Sequence, residues 1–229
     1  MSKIHYYFGW FEGTIPKQIA DLLNKDLKDK KSIAIITTAP ADNEYTDGML
    51  AFAKDTWFEP AGAWFEEYHS IDYRISKEKA QELLKNASAI LLHGGYAAQL
   101  KGFIAEYEMA DVIKQSNAAV IMGASAGGMN MAAKFAHGDY VDENTRKPAT
   151  VYEGLALDNF ALQSHAAGTL ETIATSDHAK NYLMPLSQEI DVCIACTEST
   201  IRMEGSKCDI MGDVYLITKG KVTKMPESL

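Results

Sequence analysis

AAVIMGASAGG, residues 118–128, is the stretch on which the fold turns. Its first half is a short apolar run, the length of a strand buried on both faces rather than of a helix. Its second half spaces a serine between glycines as Gly123-x-Ser125-x-Gly127. A sharp strand-to-helix turn crowds its own backbone, so residues two positions to either side of the serine must lack bulk. Such a turn frees the Ser125 hydroxyl from its own chain. It also places the hydroxyl at a helix N-terminus that favours developing negative charge, with the Ala126 N–H aimed where an oxyanion would form. Two rival readings of a glycine-rich corner do not fit. A dinucleotide loop needs a glycine at the position Ser125 occupies, and a P-loop needs Gly-Lys-Ser/Thr after its glycines. A tight packing turn without chemistry is the remaining alternative.

Working outward, strand and helix signals alternate. KIHYYFG (3–9), SIAIITT (32–38), WFEEYHSI (64–71) and SAILLHGG (88–95) read as strands. Between them lie helical patterns. One follows Thr14 and Pro16 with Ile19, Leu23 and Leu27 at helical spacing, and one holds Met49, Leu50, Ala53 and Trp57 before Pro60 and Gly62. A third is capped by Ser76. A fourth, from Ala97 to Gln115, places Leu100, Phe103, Ile104, Tyr107, Ala110 and Ile113 on one face. This order calls for a mostly parallel sheet with helices on both faces, and in such sheets working residues gather at the carboxyl ends of the strands. His93-Gly94-Gly95 and Gly123–Gly128 are both strand ends of that kind. The last 40 residues instead give short β runs, IDVCIAC, STIRMEG, KCDIMG, VYLITKG and KVTK, which read as an antiparallel extension of the sheet. Residues 1–229 are expected to form one domain, as neither a repeat nor a low-complexity linker divides them.

Composition narrows the partners. Lys and Arg total 22 against 31 Asp and Glu, a formal charge of −9, and no basic cluster overrides it, so neither nucleic acid nor an anionic membrane is an expected partner. The N-terminus MSKIHYYFGWFEG lacks the pattern of a signal peptide, and the longest apolar stretch, 118–133, falls short of a bilayer span. The expected location is cytoplasmic. Three cysteines, Cys193, Cys196 and Cys208, do not make a disulfide scaffold. The Cys193-x-x-Cys196 pair lies in a strand-like run with no second pair to complete a zinc site, so these are expected to be buried or edge thiols without chemistry. No metal or organic cofactor is called for.

A nucleophilic serine needs a base and the base an orienting carboxylate. Of six histidines, His165 follows the β-like NFALQS and precedes a helical run, so it shares the strand-end edge with Ser125. His178 reads as a solvated helix face, His137 as part of a loop, and His93 as either a lining or a packing residue. Asp139, Asp142 and Glu143 lie between the serine and His165, and the residues alone do not choose among them.

This pattern resembles the S51 serine peptidases, which include the aspartyl dipeptidase peptidase E and the cyanophycinases. The resemblance spans nearly the whole chain and rests on LLHGGYAAQL, on GASAGG, on the histidine after GLALDNFALQSH, and on the closing ESTIRMEGSKCDIMG with its glutamate. It implies a three-layer α/β sandwich related to class I glutamine amidotransferases. It also implies Ser125 as nucleophile, His165 as base, and an oxyanion hole from the Ala126 N–H and a backbone N–H of Gly94 or Gly95. By the family's spacing Asp142 fits the third position best, Glu143 next and Asp139 third. The implied activity is a dipeptidase or exopeptidase-like serine hydrolase acting on a small peptide. A homodimer is the assembly to consider, and the sequence leaves the oligomeric state open. An esterase or amidase on a non-peptide substrate, or a ligand-binding domain that kept the fold and lost the chemistry, are the alternatives. Three departures stand out. Tyr96 follows the glycine pair where the family usually has Asn or Asp. Ser164 replaces the proline before the histidine. The segment after His165 carries no arginine, so the aspartyl specificity of peptidase E does not carry over.

Overall fold

The short β-branched and aliphatic runs become a parallel sheet. β1 (Ile4–Phe8), β2 (Ser32–Ile36), β3 (Glu67–Ile71), β4 (Ala89–Leu92) and β5 (Val120–Ala124) lie side by side in the order β1-β5-β4-β2-β3, every neighbouring pair parallel. The computed structural model describes residues 3–138, 148–166 and 170–228, with His165 and Ala166 described by their backbone alone. Helices α1 (Lys17–Asp26), α2 (Asn43–Phe52), α3 (Lys77–Asn86), α4 (Ala97–Glu106) and α5 (Met109–Gln115) connect these strands. Residue alternation along β1 shows why both faces must be apolar. Tyr6 and Phe8 pack with α1 and Trp57 on one side, while Tyr7 packs on the other with Leu84, Leu100 and Ile113 from α3, α4 and α5. Helices therefore cover both faces of the sheet, the expected sandwich.

Local signals hold with small shifts. Ser76 caps α3, its Oγ accepting from the Lys79 N–H at 3.2 Å. Pro16 rather than Thr14 stands at the N-cap of α1. The single helix expected over 97–115 is broken into α4 and α5 at Glu108, which has φ 50°. Tertiary contacts end it early. The Tyr107 ring sits 4.6 Å from Phe103, its hydroxyl donates to the Ile75 carbonyl at 3.1 Å, and its carbonyl accepts from Gln81 Nε2 at 2.8 Å. Helix α2 continues as a π-helical turn, Ala53–Phe58, which buries Trp57.

From β5 the chain enters α6 (Ala126–Met131) and then a second sheet, built from β6 (Ala132–His137), β7 (Thr150–Glu153), β8 (Asp158–Ala166) and β9 (Val192–Cys196). The C-terminal runs do not extend one sheet alone. β10 (Thr200–Glu204) adds antiparallel to β1 and β11 (Lys207–Met211) antiparallel to β10, whereas β12 (Val214–Thr218) adds antiparallel to β9 and β13 (Lys221–Lys224) antiparallel to β12, giving β13-β12-β9-β8-β6-β7. In this second sheet β8 runs parallel to both β6 and β9. Helices α7 (Leu170–Thr175) and α8 (Met184–Leu186) pack on it through Ile173 and Leu186. Leu162, Cys193 and Val214 from this sheet share a core with Tyr7, Leu92 and Ile121 of the first.

Candidate active site

Ser125 sits between β5 and α6 with φ 50° and ψ −114°, a conformation that costs a non-glycine residue on the order of 1–3 kcal/mol. Its surroundings hold it there. The Ser125 N–H donates to the Phe8 carbonyl at 3.0 Å, and its carbonyl accepts from the Met129 N–H at 3.0 Å and from Ser164 Oγ at 3.2 Å. Gly127 must be glycine, because a Cβ there would lie 1.8 Å from the Leu92 carbonyl oxygen of the neighbouring strand. The small residues read from the sequence are thus required by the close approach of α6 to β4.

The second glycine corner faces this turn. Gly95 has φ 128°, and a Cβ on it would strike Thr38 Oγ1 at 2.2 Å and the Tyr45 hydroxyl at 2.3 Å. Those two hydroxyls both donate to the Gly94 carbonyl, at 3.0 and 3.1 Å. The peptide bond is planar and trans, so fixing the Gly94 carbonyl turns the Gly95 N–H to the opposite side. The Gly94 N–H is already spent, donating to His93 Nδ1 at 2.7 Å. Of the two glycine donors, only Gly95's remains for a ligand.

Ser125, Ala126, Gly94 and Gly95 line one cavity of about 580 Å³, together with Trp10, Tyr45, Met49, Gln163 and Ser164. Ser125 is only 7% exposed, yet this cavity brings it to solvent. Ser164, the residue before His165, is buried at the end of β8 against the Ser125 carbonyl. That places the backbone of His165 at the same edge. The side chain of His165, and all of Asp139, Asp142 and Glu143, lie outside the described residues.

Three other histidines differ from expectation or resolve it. His137 is not in a loop but ends strand β6, and it lines the cavity. Ala and Lys in AAKFAH carry no strand preference; pairing with β7 and β8 imposes it. His178 is half-buried, not a solvated face. Its Nε2 donates to Gln163 Oε1 at 2.9 Å, and Gln163 Nε2 in turn donates to the Ser164 carbonyl at 2.9 Å, tying down the strand end that carries His165. His93 packs rather than lines. Its ring stacks on Trp57 with centroids 5.6 Å apart and meets Trp10 edge-on at 5.8 Å.

Burial of His93 pushes its pKa down from 6.5 to about 4, so the ring is neutral, and the 2.7 Å bond to Nδ1 puts its proton on Nε2. A histidine whose folded pKa lies below its unfolded value takes up its proton preferentially on unfolding. Stability is therefore lost as pH falls from 6.5 towards 4, by up to roughly 3 kcal/mol. The check is an imidazole NMR titration of the folded protein. His93 should stay neutral with the proton on Nε2 until about pH 4; half-protonation near 6.5 would contradict this.

Cys193 and Cys196 are buried free thiols, and burial pushes the Cys193 thiol up to about 12, so neither is a nucleophile at neutral pH. Among the described residues no cluster of His, Cys, Asp and Glu is suited to a metal ion, and no helix is long and apolar enough to cross a membrane.

The sequence profile of peptidase family S51 matches residues 10–211, a span that holds both glycine corners and β8 through β10. The chain belongs to peptidase family S51. S51 membership supports a serine peptidase. Solved structures agree in fold. A peptidase from an acI-B1 Actinobacterium superposes with a TM-score of 0.69 at 14% identity, over 100% of this chain and 96% of the other. A putative peptidase E protein from Listeria monocytogenes EGD-e gives 0.60 at 15% identity, over 92% and 98%. Comparison with curated protein sequences returns no match.

One carboxylate, in the closing ESTIRMEG stretch, was given no place at the site by the sequence. Glu198 has φ 61° and lies two residues past Cys196, the β9 residue paired with Ala166 of β8. It is exposed, and its Oε1 accepts from the Glu12 N–H at 3.1 Å. The only advance signal was the position of the glutamate in ESTIRMEG, because nothing local says that β9 ends beside β8.

Proposed function

We propose that this S51 peptidase cleaves a small peptide through an acyl-enzyme on Ser125, with His165 as base. The strained backbone of Ser125, held at the mouth of a cavity opposite Gly95, carries the reading. A strained serine between a strand and a helix supports a nucleophile elbow. Ser125 Oγ attacks the scissile carbonyl carbon as its proton passes to His165. The N–H groups of Gly95 and Ala126 hold the resulting oxyanion. The C–N bond breaks as His165 returns the proton to the leaving amine. Water then attacks the acyl carbon, His165 takes its proton, and Ser125 is released.

The carboxylate that orients His165 is Asp142 by spacing, with Glu143 and Asp139 next. Glu198 joins them on the strength of its place beside the end of β8. The substrate side chain next to the scissile bond is uncharged. Trp10, Tyr45, Met49 and Met129 line the cavity, and among the described residues Arg74 is engaged by Asp47 and Asp72, and Arg202 by Asp26 and Asp209. Incubation with a peptide library and mass-spectrometric scoring tests this. Cleavage should favour an apolar or aromatic residue at the bond and vanish in Ser125→Ala. A preference for aspartate would refute the assigned specificity, and cleavage that survives Ser125→Ala would refute the mechanism.

A further inference from the structure

A second and larger cavity, about 830 Å³, opens beside the first. Its walls include Tyr73, Tyr96 and Phe103, with Asp42 and Glu106 contributing carboxylates. Tyr73 and Tyr96 are 44% and 48% exposed, and the Tyr73 hydroxyl donates to Glu106 Oε2 at 2.6 Å. The cavities share a wall. Tyr45 lines the first, Tyr96 the second, and their ring centroids are 6.2 Å apart. Tyr96 also directly follows Gly95, which lines the first cavity together with Ser125. A peptide chain advances about 3.3–3.6 Å per residue, so a few residues suffice to run from Ser125 into this space. The second cavity therefore borders the cleft that Ser125 occupies, across the Tyr45–Tyr96 pair.

Its chemistry has a sign. Two carboxylates and two tyrosine rings line it, and among the described residues no lysine or arginine does. A cation over a tyrosine face is attracted by the ring quadrupole, and the carboxylates add to the attraction. An anionic group would meet only repulsion, in a chain whose net charge is already −9.

We propose that this cavity is a distal substrate subsite that receives a lysine or arginine side chain of an extended peptide whose scissile bond lies at Ser125. The substrate is then longer than a dipeptide: uncharged at the bond, basic a few residues away. This rests on the reading of Ser125 as the nucleophile. Tyr96, whose ring stands between the two cavities, is the specificity-determining position.

The test uses the full chain with Ser125→Ala, which binds without turnover. Fluorescein-labelled hexapeptides of neutral residues carry one lysine scanned through every position, with glutamate and alanine controls, and anisotropy gives Kd. One lysine position should bind roughly tenfold more tightly than alanine, with glutamate weaker than alanine. Tyr96→Asn and Glu106→Gln, both at exposed residues, should each remove most of that gain, and Tyr96→Phe should keep it because the ring face remains. A flat lysine scan, a glutamate preference, or a lysine gain indifferent to Tyr96→Asn would overturn the proposal. Covalent labelling of the unsubstituted protein separates the two readings. A labelled serine with a flat scan removes only the distal subsite. An unlabelled serine with a lysine gain keeps the cavity as a basic-peptide site and removes the nucleophile.

Discussion

Replacing His165 with alanine should lower kcat for peptide cleavage by on the order of 10⁴–10⁶, with a much smaller change in KM. The same loss is expected for Ser125→Ala, and the double variant should be little worse than either single one, because the two groups act as a unit. The effect is large because an unassisted serine hydroxyl is a poor nucleophile at neutral pH. His137 makes the comparison decisive, since it too lines the cavity that holds Ser125. His137→Ala should retain most of kcat. If instead His137→Ala abolished turnover and His165→Ala did not, the base would be reassigned to the end of β6. Thermal melts of each variant separate loss of chemistry from loss of fold.

The largest stability effect is expected at Arg202, far from that cavity. Its guanidinium is 4% exposed and holds Asp26 with two bonds of 2.7 and 3.0 Å, Asp209 at 3.0 Å and Glu204 at 2.9 Å. The Tyr6 hydroxyl also donates to Asp26, at 2.6 Å. This network ties β10 to α1, elements about 176 residues apart in sequence. Arg202→Ala would leave buried Asp26 without its cation and Asp209 with Lys207 alone. Breaking a buried pair in this way costs about 3–5 kcal/mol. For a chain of this size that is a fall of roughly 6–20 °C in Tm. Arg202→Lys should recover only part, since an ammonium cannot bridge Asp26 bidentately. Urea unfolding curves give the measurement, and a loss below about 1 kcal/mol would show that the network contributes little.

The two effects divide the molecule as the sequence itself divides. Strands β1, β2, β4 and β5 were legible because buried parallel strands are continuous apolar runs, and the Ser125 turn because close backbone approach demands glycine. Strand β6 was not legible, because AAKFAH becomes extended only through partners on β7 and β8. The break at Glu108 was invisible for the same reason, being enforced by Tyr107 contacts with Phe103, Ile75 and Gln81. At the site, Ser125, Gly95 and Ala126 came from one local motif each. Ser164 on the Ser125 carbonyl, the His178–Gln163 link and the commitment of the Gly94 N–H to His93 are long-range or side-chain events with no periodic signature. Arg202 likewise has no local signal of its partners, which the fold brings from α1 and β11.

The most direct measurement is reaction of the intact protein with a fluorophosphonate, followed by digestion and mass-spectrometric location of the adduct. A single phosphonyl group on Ser125, absent from Ser125→Ala and strongly slowed in His165→Ala, is the expected result. Folded protein that takes up no label, or takes it on another residue while Ser125 stays unmodified, would contradict the account.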